Sequence, residues 1–158
     1  MTRARFVLTA ILGLASILAP ALVAAQDVAA GVTGAGEAIF PGGATFNGVP
    51  LSGLTVGQGL FIARDGSATG QFQAVLLGTS LLGTPQNVNV EGEVRDGSVA
   101  GAGSVTFSGT ATVSMGDGTV PLPGVPFTVT ASAAGLGLIL DTTTLPTATV
   151  SAGSITIE

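Results

Sequence analysis

From about Val32 to the C-terminus the chain alternates apolar and polar residues with a period of two, and that pattern confines it to β-structure. Ser104 to Met115 shows it most clearly. Val105, Phe107, Gly109, Ala111, Val113 and Met115 fall on one face, and Ser104, Thr106, Ser108, Thr110, Thr112 and Ser114 on the other. This is the signature of a half-buried strand with a hydroxyl-lined outer side. Val125, Phe127, Val129, Ala131 and Ala133 repeat it against Thr128, Thr130 and Ser132, and Val88, Val90 and Val94 alternate with Asn87, Asn89, Glu91, Glu93 and Arg95.

Turn chemistry divides the pattern into strands. Asp65-Gly66, Asp96-Gly97 and Asp117-Gly118 each sit between alternating runs, where a tight hairpin needs the positive φ that Asp and Gly tolerate. Gly101 and Gly103 fall on the inward side of a run from Ser98 to Met115, which predicts one long strand bent around the core. Ala148, Val150 and Ala152 share a face that Ile155 and Ile157 leave, so a bulge is expected at Gly153-Ser154. The expected strands are 32–40, 54–64, 67–77, 87–95, 98–115, 125–134, 136–141 and 148–157. Seven or eight short strands with tight turns predict an all-β domain, a small antiparallel barrel or sandwich. Val49 to Gly53 and Val120 to Gly124 echo each other; the match suits a trace of duplicated halves, but over five residues the plainer reading is two loops with similar turn chemistry.

The segment before the pattern is of another kind. Arg3 and Arg5 precede an apolar run from Phe6 to Leu18, and Pro20 ends it ahead of Val23-Ala24-Ala25. A charged start, an apolar middle and a small-residue exit predict a signal peptide over 1–25, cleaved before Gln26. A short linker, 26–31, would then lead into a single domain over 32–158. The expected destination is secreted or extracellular, including the cell envelope, with no membrane-spanning segment after signal cleavage. With Cys 0 in the chain, core packing must hold the fold there without a disulfide.

Composition narrows the partners. The formal charge of −5 includes Arg3 and Arg5, which leaves Arg64 and Arg95 as the only strong cations of the mature chain. Two arginines cannot build the basic patch that a phosphate backbone requires, so nucleic acid is excluded as a partner. With 46% hydrophobic and only 8% charged residues, the composition is the reverse of a disordered chain. The class of partner left open is a cell-surface or extracellular protein or a glycan.

The residue inventory removes most covalent chemistry. Beyond the signal there is no His, Cys, Lys, Tyr or Trp, so the usual bases, thiol nucleophiles, Schiff-base amines and zinc ligands are missing. A glycosidase needs only two carboxylates, and Glu91 with Glu93 is the one close pair, on the same strand face about 7 Å apart at Cα. Arg95 continues that face, so the plain reading is a solvated charge ladder. Gly57-Gln58-Gly59 and Gly101-Ala102-Gly103 lack the third glycine and following helix of a dinucleotide loop. Asp65, Asp96 and Asp117 are turn carboxylates of the kind calcium accepts, but no EF-hand or nonapeptide repeat surrounds them. The Thr-x-Thr pairs lack the fixed period of an ice-binding array, Leu145 to Thr149 lacks the tail of a sorting signal, and the aromatic girdles of an outer-membrane barrel are absent. No catalytic, cofactor-binding or metal residue is assigned, and no cofactor is expected.

Phe107 to Val113, Phe127 to Ala131 and the terminal Gly153 to Ile157 resemble the closing strands of small secreted bacterial β-domains of the post-COAP type. The resemblance covers about 36–157. It implies a domain that stands alone or is appended to surface proteins, and it implies no activity. The expected function is therefore a non-enzymatic secreted or cell-envelope domain of structural or interaction type. The alternative is lipocalin-like binding of a small apolar ligand in the barrel interior, decided by whether Phe40, Phe46, Phe61, Phe72, Phe107 and Phe127 point inward.

Overall fold

The computed structural model describes residues 27–101 and 103–158. The expected signal peptide lies outside them. The described residues form ten strands: β1 (Val28–Ile39), β2 (Thr45–Phe46), β3 (Val49–Ala63), β4 (Ser67–Gly78), β5 (Val88–Ala100), β6 (Ser104–Ser114), β7 (Leu122–Ser132), β8 (Gly135–Leu140), β9 (Thr143–Thr144) and β10 (Ala148–Ile157). Every pairing is antiparallel. The order runs β1-β10-β8-β7-β6-β5-β4-β3, and β1 also pairs with β3, so the sheet closes on itself as an up-and-down barrel. β2 and β9 are short additions to β3 and β8.

Because neighbours in the sheet are neighbours in sequence, the connections fall into two groups. Asp27, Glu158 and the turns after β3, β5 and β7 lie at one end; those after β1, β2, β4, β6 and β8 lie at the other, called here the loop end.

Each strand buries the face its alternation predicts. On β6 Val105, Phe107, Ala111 and Val113 are buried, and on β7 Phe127, Val129 and Ala131. The hydroxyl faces look outward, and Thr106 Oγ1 lies 3.2 Å from Thr130 Oγ1 across the β6–β7 ladder. Phe40, Phe46, Phe72, Phe107 and Phe127 are all buried, whereas Phe61 points out from β3 and is 62% exposed. Three of these rings meet in the barrel centre. Phe72 stacks on Phe127 at 5.4 Å between centroids, and Phe107 presents its edge to both, at 5.9 and 6.5 Å. As β4 and β7 are not adjacent, the Phe72–Phe127 contact spans the interior. Gly92 on β5 makes room for it, since a Cβ there would come within 2.7 Å of the Phe127 ring.

Three expectations need correction. Asp96-Gly97 is no hairpin but lies within β5, where Val94 pairs with Gly109 and Asp96 with Ser108, leaving Arg95 as the extra residue of a bulge. Gly101 and Gly103, the latter at φ +71, lie in turn conformation instead, so the expected strand 98–115 is divided between the end of β5 and β6. Asp-Gly suits a bulge as readily as a turn, and local chemistry alone does not separate them. The second correction concerns β10. Its phase does flip, but the unpaired residue is Ser151, because Glu37 pairs with Ala152 and Ala38 with Val150; Gly153, at φ +82, follows it. Ser151 Oγ donates to the Glu37 carbonyl at 3.2 Å, which fastens the bulge. Third, two strands begin earlier than expected: β1 begins at Val28, so 28–31 are strand paired to β3 and not linker, and β3 begins at Val49, so 49–53 are strand and not loop.

The other Asp-Gly pairs do lie in connections. In the β3–β4 hairpin Gly66 N donates to the Ala63 carbonyl, and Asp65 Oδ1 accepts from Ser67 Oγ at 2.6 Å and Ser67 N at 2.9 Å. Asp117 does the same with Thr119 in the β6–β7 loop. The side-chain hydroxyl bond chiefly, with the backbone bond, holds each carboxyl below its ordinary 3.8. What these turns add to stability is present above the ordinary value and lost as pH falls through the lowered one.

Candidate functional site

The acidic pair singled out by sequence lies on the outer wall. Glu91 and Glu93 point out from β5 opposite Gln73 and Gln71 of β4 and Thr112 and Thr110 of β6. Gly57 and Gly59 on β3 carry no side chain on this face, so a shallow trough runs across β3, β4 and β5 with Gln73 and Glu91 along it. Glu91 stands at its margin, and both carboxylates are exposed. Arg95 Nη2 stands 3.7 Å from Glu93 Oε2, with the two side chains 63% and 75% exposed. This is the charge ladder the alternation predicts. The turn aspartates are dispersed: Asp65 and Asp117 occupy opposite ends of the barrel, and Asp96 lies in the β5 bulge. Among the described residues no group of three or more potential ligands could hold a metal ion.

Among the described residues the interior carries one polar exception that sequence analysis did not single out. Gln58 shares the inward parity of Leu54, Val56, Leu60 and Ile62 on β3 and is only 8% exposed. Neither its amide nitrogen nor its amide oxygen has a hydrogen-bond partner. Its flanking residues Gly57 and Gly59 face out, which hid the parity from a reading based on apolar residues alone.

The loop end gathers the remaining features. A groove of about 390 Å³ opens between the β2–β3 turn, the start of β7 and the β8–β9 turn. Phe46, Val113, Leu122 and Val125 supply its apolar lining, and Asn47, Asp141, Thr142 and Thr143 its polar one. Asn47 (φ 46) and Asp141 (φ 54) are the only non-glycine residues with positive φ among the described residues, and both line this groove. Such conformations concentrate where a fold shapes a site.

No family model, curated protein or solved structure matches the chain.

At the same end of the barrel the loops expose aliphatic side chains. Leu81 and Leu82 are 95% and 91% exposed, Val120 84% and Leu122 54%. Leu81 and Leu82 occupy the middle of a tight turn in which Gly83 N donates to the Ser80 carbonyl and Ser80 N to the Thr84 carbonyl. Ser80 Oγ, 2.7 Å from Thr84 Oγ1, also accepts from Thr84 N. Gln86 Nε2 donates to the Met115 carbonyl at 3.2 Å, tying this loop to the one that carries Val120. The two hairpin tips are thus held by their own hydrogen bonds while their apolar side chains face water. Sequence carried a signal for this, Leu81-Leu82 between turn residues and outside any alternating run.

Proposed function

We propose that this chain is a non-enzymatic secreted or cell-envelope domain of structural or interaction type, acting through the loop end of its barrel. The observation that carries this reading is the contrast between interior and rim. Phe72, Phe107 and Phe127 fill the barrel centre with the protein's own rings, and the loop end presents both a groove and the most exposed aliphatic residues. Binding and recognition collect on loops carried by a rigid scaffold, and this barrel is such a scaffold. The resemblance to secreted bacterial domains of the post-COAP type agrees with that role.

A lipocalin-like interior site has one observation in its favour, the unpartnered amide of Gln58. The ring cluster argues the other way, since an eight-stranded barrel is just wide enough to be filled by side chains. For an enzyme, the remaining acidic pair would be Glu91 and Glu93. Exposed charges of that kind contribute about 0 to 1 kcal/mol to stability. Replacing both by Gln is expected to leave export, melting temperature and partner binding unchanged. A double variant that folds normally but loses a measured hydrolytic activity would displace the interaction reading in favour of a glycosidase.

A further inference from the structure

We propose that the loop end docks on an uncharged lipid surface, with Leu81, Leu82 and Val120 entering the interfacial layer of a bilayer. This rests on the reading of the loop end as the interaction site and names its partner. No other large hydrophobic residue among those described is more than 62% exposed, whereas these three range from 84% to 95%. Their exposure is built in, because the Ser80–Thr84 turn is closed by backbone and hydroxyl bonds that hold both leucines at its tip.

The form of the surface favours lipid over protein. The side chains stand on two hairpin loops, β4–β5 and β6–β7, with the polar Ser80, Thr84, Asp117 and Thr119 beside them in sequence. A protein partner would have to match that relief, and it would draw on the Trp, Tyr and Arg anchors that dominate protein interfaces. The described residues include no Trp or Tyr, and both arginines lie elsewhere, Arg64 beside the β3–β4 turn at the opposite end and Arg95 on the outer wall. A fluid acyl layer accepts isolated aliphatic side chains without matching their shape. Charge decides which lipid. The loop end carries Asp117 and Asp141 and no cation among the described residues, so an anionic surface repels it and a zwitterionic one, with no net charge, does not.

The test is flotation of the exported protein with phosphatidylcholine vesicles, and with the same vesicles containing phosphatidylglycerol. Binding to phosphatidylcholine is expected, weakened by the anionic lipid and by Leu81→Ser or Leu82→Ser, each by about tenfold or more. Phe61→Ser on the barrel wall should leave it unchanged, and unaltered melting curves for the leucine variants show that they fold. Absence of vesicle binding, stronger binding to anionic vesicles, or equal loss in Phe61→Ser overturns the proposal. Leucine-dependent binding to a purified protein or glycan, or leucine-dependent dimerisation, without vesicle binding overturns the lipid assignment and leaves the interaction reading standing. Vesicle binding that persists in the Leu81→Ser/Leu82→Ser double variant overturns both the site and its partner.

Discussion

Phe107→Ala and Phe72→Ala are each expected to lower the stability of the domain by about 3 to 5 kcal/mol in denaturant melts. Both side chains are almost wholly buried, and each contacts two other rings in the middle of the barrel. Truncation removes the apolar area of a ring and leaves a cavity that a closed barrel can collapse only in part, since its strands are fixed to one another around the whole circumference. The stacked pair Phe72 and Phe127 should also show coupling in a double-mutant cycle, about 0.5 to 1.5 kcal/mol beyond area burial. Thr110→Ala and Thr128→Ala on the outer face should stay within about 0.5 kcal/mol. If the threonine changes cost more than the phenylalanine changes, the inward and outward faces have been interchanged.

Gln58→Met is expected to stabilise the protein, by about 1 to 3 kcal/mol. The direction is unusual for a change in a core. A buried amide whose nitrogen and oxygen both lack partners has given up its bonds to water for nothing. Methionine keeps an unbranched chain of similar volume between Val56 and Leu60 and removes that penalty. Gln58→Ala, which removes the amide but leaves a void, should gain less or lose. A clear loss of stability in Gln58→Met would show that the amide is engaged by a molecule bound inside the barrel, and it would favour the lipocalin-like alternative.

Much of the fold was legible because alternation reports burial directly. Val105 to Val113 and Phe127 to Ala131 are buried where their parity places them, and the ladder of Glu91, Glu93 and Arg95 is exposed where its parity places it. Glycine was less legible, because its role depends on the partner strand. Gly97 and Gly103 carry the same intrinsic freedom, yet one lies in a bulged strand and the other closes a hairpin. The candidate site was the least legible part. Leu81, Leu82 and Val120 lie in loops, and their exposure depends on which core residues close the barrel beneath them. Phe40, Ala44, Phe46 and Leu145, which also lie outside the long strands, are buried, whereas the leucines are not, and nothing in the local sequence separates the two cases.

β10 shows a further consequence of staggered closure. It meets β8 only through Ala148 and Thr149, and from Val150 to Ile157 its ladder partner is β1. The bulge at Ser151 and the positive φ of Gly153 bend this part of the strand, a device that makes a strand edge a poor template for pairing with another chain.

The central claim is that the barrel interior belongs to the protein's own side chains and that the molecule acts at its loop end. Native mass spectrometry of the protein recovered from its own medium tests this most directly. The expected result is the mass of the polypeptide alone, or with weakly held lipid that is lost in the Leu81→Ser/Leu82→Ser variant. A one-to-one apolar adduct that persists in that variant and is released only on unfolding would place a ligand inside the barrel and contradict the account.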